Sequence, residues 1–156
     1  MLPALTQSPS PSPLQSAAAF DPFDYFAGSW GCNWSSGITG QQVYTNITPV
    51  SIAMTNRFSV EGGGQHGNQA FLILDGSAWT LKITTPESDY VYDGLALAPQ
   101  GNQWQFSGTE SSSVLGKRKA LFSYIIANHD SFTRVRQAIV NGKLTQVAVE
   151  SCHRAN

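Results

Sequence analysis

The two cysteines of this chain, Cys32 and Cys152, stand near its two ends, and each lies in a segment with the alternating pattern of a β-strand. Around Cys32, the large residues that alternate onto the same face are Trp30 and Trp34. Cys152 belongs to the last strand-like run, Lys143–His153. If the two cysteines face each other, the first and last strands are neighbours, and the sheet closes on itself.

The supposed pairing also fixes the neighbours of the cysteines, because in an antiparallel pair each step along one strand matches a step back along the other. Trp30 then lies opposite Arg154, and Trp34 opposite Glu150. A guanidinium over an indole ring is favourable, and a disulfide closing a loop of this length is worth at most about 5 kcal/mol. We expect a disulfide between Cys32 and Cys152, which would indicate an oxidising compartment. The alternatives are reduced, inert cysteines or metal ligands, and neither cysteine has a second ligand at the spacing that a metal site needs apart from His153, which points to the opposite face of its strand.

The rest of the pattern predicts an all-β chain. A short helix opens the domain, with Asp21 as its N-cap and Pro22 at its first position, and ends at Gly28. Nine strand candidates follow the first one: Val43–Thr48, Ser51–Val60, Gln69–Leu74, Ala78–Thr84, Tyr90–Ala98, Gln103–Gly108, Lys119–Ala127, Ser131–Val140 and Lys143–His153.

Turn signals separate these candidates. A tight turn is predicted at Asp75-Gly76, a two-residue hairpin turn at Asn141-Gly142, and a glycine-rich loop over Glu61–Asn68. Short consecutive strands with no long helix indicate a meander, which must close to avoid open edges. We therefore predict a closed antiparallel up-and-down β-barrel of about eight to ten strands, capped by the short N-terminal helix.

Composition limits the partners. Nine Lys and Arg residues against ten Asp and Glu give a net charge of -1, so no strong field attracts nucleic acid. No apolar run is long enough to span a membrane. Residues 1–19 form a Pro/Ser-rich tether without the features of a signal peptide, and residues 20–156 form the barrel domain. We expect a mature exported chain, secreted or periplasmic; a disordered cytosolic tail is the alternative.

A family resemblance rests on residues at both ends of this domain. Gly28-Ser29-Trp30 after a short helix, with an arginine on the last strand, resembles the Gly-x-Trp signature of the calycin superfamily, the lipocalin-like barrels. The runs Phe23–Cys32 and Cys152–Arg154 resemble uncharacterised bacterial lipocalin-like domains more closely. The resemblance implies a barrel around a pocket for a small, largely apolar molecule, with Trp30 and Arg154 packed together at its closed end. The loop motifs of animal lipocalins are not evident.

Glu150 is the first candidate for chemistry, because the same pairing turns it towards the enclosed side. A carboxyl group in an apolar pocket has a raised pKa and would suit a general base or a hydrogen-bond anchor. Alternatively, Glu150 pairs with Arg134 or Arg136 and is structural. These arginines share a face with Phe132. Facing inward they could hold a ligand carboxylate or phosphate, but we expect the outward, solvated arrangement.

Large side chains supply the remaining candidates for ligand contact. Aromatic residues are dense along the strands, and those that face inward either fill the barrel or line a cavity. The predicted ligand-binding residues are Trp34, Met54, Phe58, Trp79, Tyr90, Tyr92, Trp104, Phe122, Tyr124, Arg134, Arg136 and Glu150. Met54 is more simply explained by packing.

No metal or cofactor is expected. His66, His129 and His153 have no ligand spacing among them, and His153 points away from the face of its neighbour Cys152. A haem-binding relative among calycin-like barrels uses a single histidine, which would make His129 or His153 a candidate by resemblance, but lone histidines are usually unliganded.

The sequence favours an exported carrier that binds a small hydrophobic molecule inside the barrel. One alternative is an enzyme in the same barrel, an isomerase, cyclase or hydratase in which Glu150 or a lumen tyrosine moves a proton. Another is a purely structural or protein-binding module whose lumen is packed solid. The sequence predicts no oligomeric state.

Overall fold

The computed structural model describes residues 19–60, 62–85 and 89–156. The predicted tether, residues 1–19, lies outside the described residues except for its last position, and it stays a prediction. Within the described residues, no helix is long and apolar enough to cross a membrane.

Ten antiparallel strands and one short helix make up the described chain, as the sequence predicts. In chain order the elements are α1 Pro22–Phe26, β1 Gly28–Trp34, β2 Thr39–Thr48, β3 Ser51–Val60, β4 Gly64–Asp75, β5 Ala78–Thr85, β6 Tyr90–Ala96, β7 Gln103–Ser112, β8 Gly116–Asn128, β9 Ser131–Val140 and β10 Lys143–Arg154. Each strand pairs with the next along the chain, and β10 pairs with β1, so the sheet closes into an up-and-down barrel.

One predicted loop is wrong. Most of Glu61–Asn68 belongs to β4, which begins at Gly64 and pairs with β3 from Val60 onwards. The turn is confined to the few residues between these strands, where Gly62 has a φ of 75°. Glycine lowers strand propensity but does not prevent pairing when a long neighbouring strand offers its hydrogen-bonding edge.

The seam between β1 and β10 has the register inferred from the cysteines. Trp30 pairs with Arg154, Cys32 with Cys152, and Trp34 with Glu150. The two cysteines form a disulfide, and both are almost completely buried. The bond therefore joins the first and last strands at the point where the barrel closes.

Helix α1 seals the end of the barrel at which β1 begins. The Asp21 carboxylate accepts a hydrogen bond from the Phe23 backbone N–H at 3.0 Å, which is the predicted cap. The Phe26 ring is fully buried and packs on Tyr44, Tyr124 and Phe132 at centroid distances of 5.1, 5.0 and 5.2 Å. Aromatic side chains thus fill this end.

Arg154 ties the helix to the seam. Its guanidinium carbon lies 4.2 Å from the Trp30 ring centroid, and its Nη atoms donate to the carbonyl oxygens of Ala27, Tyr25 and His129 at 3.2, 2.9 and 3.1 Å. The Trp30 indole N–H in turn donates to the Phe26 carbonyl oxygen at 2.8 Å. One charged group therefore satisfies carbonyls from the helix end and from the β8–β9 turn.

Replacing Arg154 by Ala should lower the free energy of unfolding by about 2–4 kcal/mol, because the cation–π contact and the charge-assisted hydrogen bonds are lost together. Urea denaturation measures the change. The exposed Arg57 provides the matched control, and Arg57→Ala should change stability by less than about 0.5 kcal/mol. Equal effects of the two substitutions would contradict the role given to Arg154.

Replacing both Cys32 and Cys152 by Ala should lower the free energy of unfolding by about 3–5 kcal/mol, since the bond spans 120 residues and restricts the unfolded chain. Denaturation of the wild type with and without reductant should reproduce the loss. A double variant as stable as the oxidised wild type would refute a stabilising bond at this seam.

Candidate functional site

The lumen is packed in its closed half. Trp79 lies 5.0 Å from Trp104 between ring centroids, and the Trp104 indole donates to the Leu97 carbonyl oxygen at 2.9 Å. Nearer the open end, the Tyr92 hydroxyl donates to the Phe106 carbonyl oxygen at 2.9 Å, and its ring packs on Phe122 with centroids 5.5 Å apart. Five predicted ligand-binding residues are therefore buried among core side chains: Met54, Trp79, Tyr92, Trp104 and Tyr124. A role for them in ligand contact stays a prediction.

The opposite, open end retains a cavity of about 80 Å³. It brings together six of the predicted site residues and adds three that the prediction lacked. Its wall consists of Trp34, Asn68, Ile83, Tyr90, Phe122, Arg134, Arg136, Ala148 and Glu150. Phe58, another candidate, is half-buried beside this wall, with its ring centroid 5.5 Å from that of Trp34.

Arg134 and Arg136 face the lumen, so the expected outward orientation is wrong. Arg134 is only 7% exposed and lies opposite Glu150 in the β9–β10 ladder. Its Nε atom is 2.9 Å from the Glu150 carboxylate, which offsets the cost of burying the charge. Its guanidinium also lies over the Phe122 ring at 4.9 Å. Glu150 therefore has the cationic partner that the sequence left as an alternative.

A glutamine completes the surroundings of Glu150. The Gln42 amide donates to the Glu150 carboxylate, and the Gln42 carbonyl oxygen accepts from the Tyr44 hydroxyl at 2.7 Å. Burial raises the pKa of Glu150, while Arg134 and the hydrogen bond from Gln42 oppose that rise. Burial also raises the pKa of Tyr44, so its hydroxyl stays neutral.

A second charged cluster lies beside the cavity. Glu110 is 3% exposed and accepts hydrogen bonds from Arg118 Nε at 2.6 Å and from the Tyr90 hydroxyl at 3.0 Å. It also forms an ion pair with Arg136, whose Nε is 3.4 Å from the carboxylate and makes no hydrogen bond. Arg136 also lies over the Tyr90 ring at 5.1 Å. Burial raises the pKa of Tyr90, which therefore remains a hydrogen-bond donor.

Sequence reasoning missed Glu110 and Gln42. A signal for Glu110 was present, because it continues the alternation of Trp104 and Phe106, the inward residues of β7. Gln42 alternates with the inward Tyr44 in the same way, but its partner is 108 positions away in the sequence. Only the closed ladder brings the two together.

None of the three histidines, all of which the structure describes, lines the cavity. The His129 side chain is 81% exposed in the β8–β9 turn, and His153 is exposed on the outer face of β10. His66 packs on Phe58 at the open end, with ring centroids 6.0 Å apart. Among the described residues, one group has metal-ligand proximity, Cys32, Glu150 and Cys152, but its two sulfur atoms are bonded to each other.

The chain matches no family model and no curated protein. Among solved structures it is similar to Rv2717c from M. tuberculosis, with 14% identity and a TM-score of 0.63 over 84% of this chain and 93% of that one. A de novo designed fluorescence-activating β-barrel matches with 14% identity and a TM-score of 0.48 over 87% and 99% of the two chains. At this identity, the similarity to Rv2717c shows the barrel fold alone, and the lipocalin-like assignment is not confirmed.

Replacing Arg134 by Met should destabilise the protein increasingly as the pH rises. Without its cation, the buried Glu150 carboxyl has a folded-state pKa well above its unfolded value, so the folded state binds the proton more tightly. The loss in unfolding free energy should be small near about pH 4 and reach about 3–5 kcal/mol near pH 8.

The double variant Arg134→Met/Glu150→Gln provides the control, because it has no titrating group at this position. Its loss in stability should be the same at both pH values in urea denaturation. If the single variant shows an equally flat pH dependence, the Arg134–Glu150 pair does not have the electrostatic role described above.

Proposed function

We propose that the barrel binds a small molecule in the cavity at its open end. The observation that carries this proposal is the contrast between the two halves of one lumen. Aromatic rings fill the closed half, while the open half keeps a cavity of about 80 Å³ whose wall mixes aromatic rings with buried polar groups. Ligand sites typically combine an apolar wall with a few placed polar groups.

The apolar part of the wall suits the body of a small hydrophobic molecule. Trp34, Ile83 and Phe122 contribute rings and an aliphatic chain, and Ala148 leaves room between them. The cavity is smaller than the several hundred cubic ångströms of sites that enclose drug-sized ligands. We therefore infer a compact ligand, or one whose remainder extends through the open end.

The cationic partner of Glu150 argues against a role as catalytic base. Arg134 and the hydrogen bond from Gln42 stabilise the carboxylate and oppose the rise in pKa that burial causes, whereas a general base gains from a pKa near the working pH. Both partners contact Oε1, while Oε2 is buried without a hydrogen-bond partner. The enzyme hypothesis stays a prediction, and binding is the function we propose.

The disulfide fits the part of the proposal that concerns location. Disulfides persist in oxidising compartments, so the Cys32–Cys152 bond favours a protein that acts outside the cytoplasm. We propose secretion or a periplasmic location on this ground.

Small neutral probes should bind at the open end. Titration with benzamide should shift the NMR signal of the Trp34 indole N–H, identified by its disappearance in Trp34→Phe, and leave the three other indole signals in place. Trp30, Trp79 and Trp104 are buried in the core and do not line the cavity. Native mass spectrometry of protein purified from its own host should also detect a bound compound.

Ala148→Leu should abolish the shift, because the larger side chain enters the cavity that the ligand needs. Ala127→Leu, a substitution at an exposed position of β8, provides the matched control and should leave binding unchanged. If benzamide and other small aromatic probes leave the Trp34 signal unmoved, or if Ala148→Leu binds them as well as the wild type does, the proposed function is wrong.

A further inference from the structure

The open half of the lumen holds more positive than negative charge. Its charged side chains, among the described residues, are Arg118, Arg134, Arg136, Glu110 and Glu150. Three guanidinium groups face two carboxyl groups, so one positive charge has no counterpart. Protonation of either carboxyl group would enlarge the excess, so the sign of the charge does not depend on their ionisation.

The two arginines in the cavity wall keep donors that the protein does not use. Arg134 Nη1 is buried and has no hydrogen-bond partner, and the same holds for Arg136 Nε, whose nearest carboxylate oxygen is 3.4 Å away. A buried donor without a partner is costly, and more so when it is charged. Such donors indicate a missing acceptor.

Aromatic rings hold both guanidinium groups in place. Arg134 lies over Phe122 and Arg136 over Tyr90, at 4.9 and 5.1 Å from the ring centroids. A guanidinium group whose face rests on a ring directs its N–H donors sideways, in its own plane. Residues 134 and 136 are about 7 Å apart along one face of β9, so a single small group between them can reach both.

We propose that the cavity selects a compact monoanion, a small carboxylate, whose head is held by Arg134 and Arg136. The proposal deepens the proposed function and rests on it. One carboxylate supplies the acceptor oxygens that the arginines lack and neutralises the one surplus charge, whereas a phosphate dianion would overcompensate it. The volume of about 80 Å³ corresponds to roughly five to eight water positions, which suits a short or single-ring acid.

The test compares benzoate with benzamide, its neutral counterpart of nearly the same shape, using the Trp34 indole signal and calorimetry. Wild-type protein should bind benzoate at least about tenfold more tightly than benzamide. Arg136→Gln should weaken benzoate binding by about ten- to hundredfold and change benzamide binding by less than about twofold. The benzoate affinity of Arg136→Lys should lie between those of the wild type and Arg136→Gln. Lysine keeps the positive charge but lacks the paired, planar donors with which a guanidinium group binds a carboxylate.

Lys119→Gln provides the matched control. It removes one positive charge from the exposed outer face of β8, next to the lumen-facing Arg118, and Lys119 does not contribute to the cavity wall. Benzoate affinity should change by less than about threefold, since the effect of a solvent-exposed charge is screened. Circular dichroism and thermal unfolding verify that each variant is folded.

The outcomes separate the two proposals. Equal binding of benzoate and benzamide in the wild type, with no effect of Arg136→Gln, would overturn the anion site and leave the small-molecule site standing. Equal weakening by Lys119→Gln and Arg136→Gln would also overturn it, because the overall positive charge of the protein, rather than contacts in the cavity, would then explain the preference. Binding of neither probe would overturn both proposals.

Discussion

The antiparallel pairing of β1 with β10 is the constraint on which the rest of the structure depends. It turns a meander of ten strands into a closed barrel, and it does so with three adjacent inward pairs: Trp30 with Arg154, Cys32 with Cys152 and Trp34 with Glu150. The three pairs differ in chemistry along the barrel axis. A cation–π contact lies at the closed end, a covalent bond in the middle, and a carboxylate beside an indole at the open end.

The rest of the lumen shows the same change along the barrel axis, from apolar packing at the closed end to buried charges at the open end. Helix α1 inserts Phe26 among the aromatic rings of the closed end, so packing dominates there. Further along, Arg134 and Glu150 are buried as a pair, and Glu110 lies between Arg118 and Arg136. Buried charges cost free energy unless each has a partner, and replacing them by apolar residues often stabilises a protein. The charged side chains lie at the same end of the barrel as the cavity. We therefore infer that they serve ligand binding rather than stability.

The sequence predicted the helix cap and a range of eight to ten strands from local signals: the Asp21 cap, alternation and the Asn141-Gly142 turn. It predicted closure from a long-range signal, the supposed facing of Cys32 and Cys152, and from the need to avoid open strand edges. It did not predict the site to the same extent. Alternation shows that Arg134 and Arg136 share a face but not which face is inside, and the burial of charged groups is decided by partners on other strands. Gln42 could be assigned to Glu150 only once the barrel was closed.

The central claim is a closed barrel whose open end carries one positive charge without a counterpart, and anomalous diffraction from crystals soaked in bromide tests it most directly. Bromide is a compact monoanion that can be located without assumptions about a ligand. The account predicts an anomalous peak inside the lumen, between the guanidinium groups of Arg134 and Arg136. A lumen without a peak in crystals that bind bromide on their surface, or a cavity filled by side chains, would contradict it.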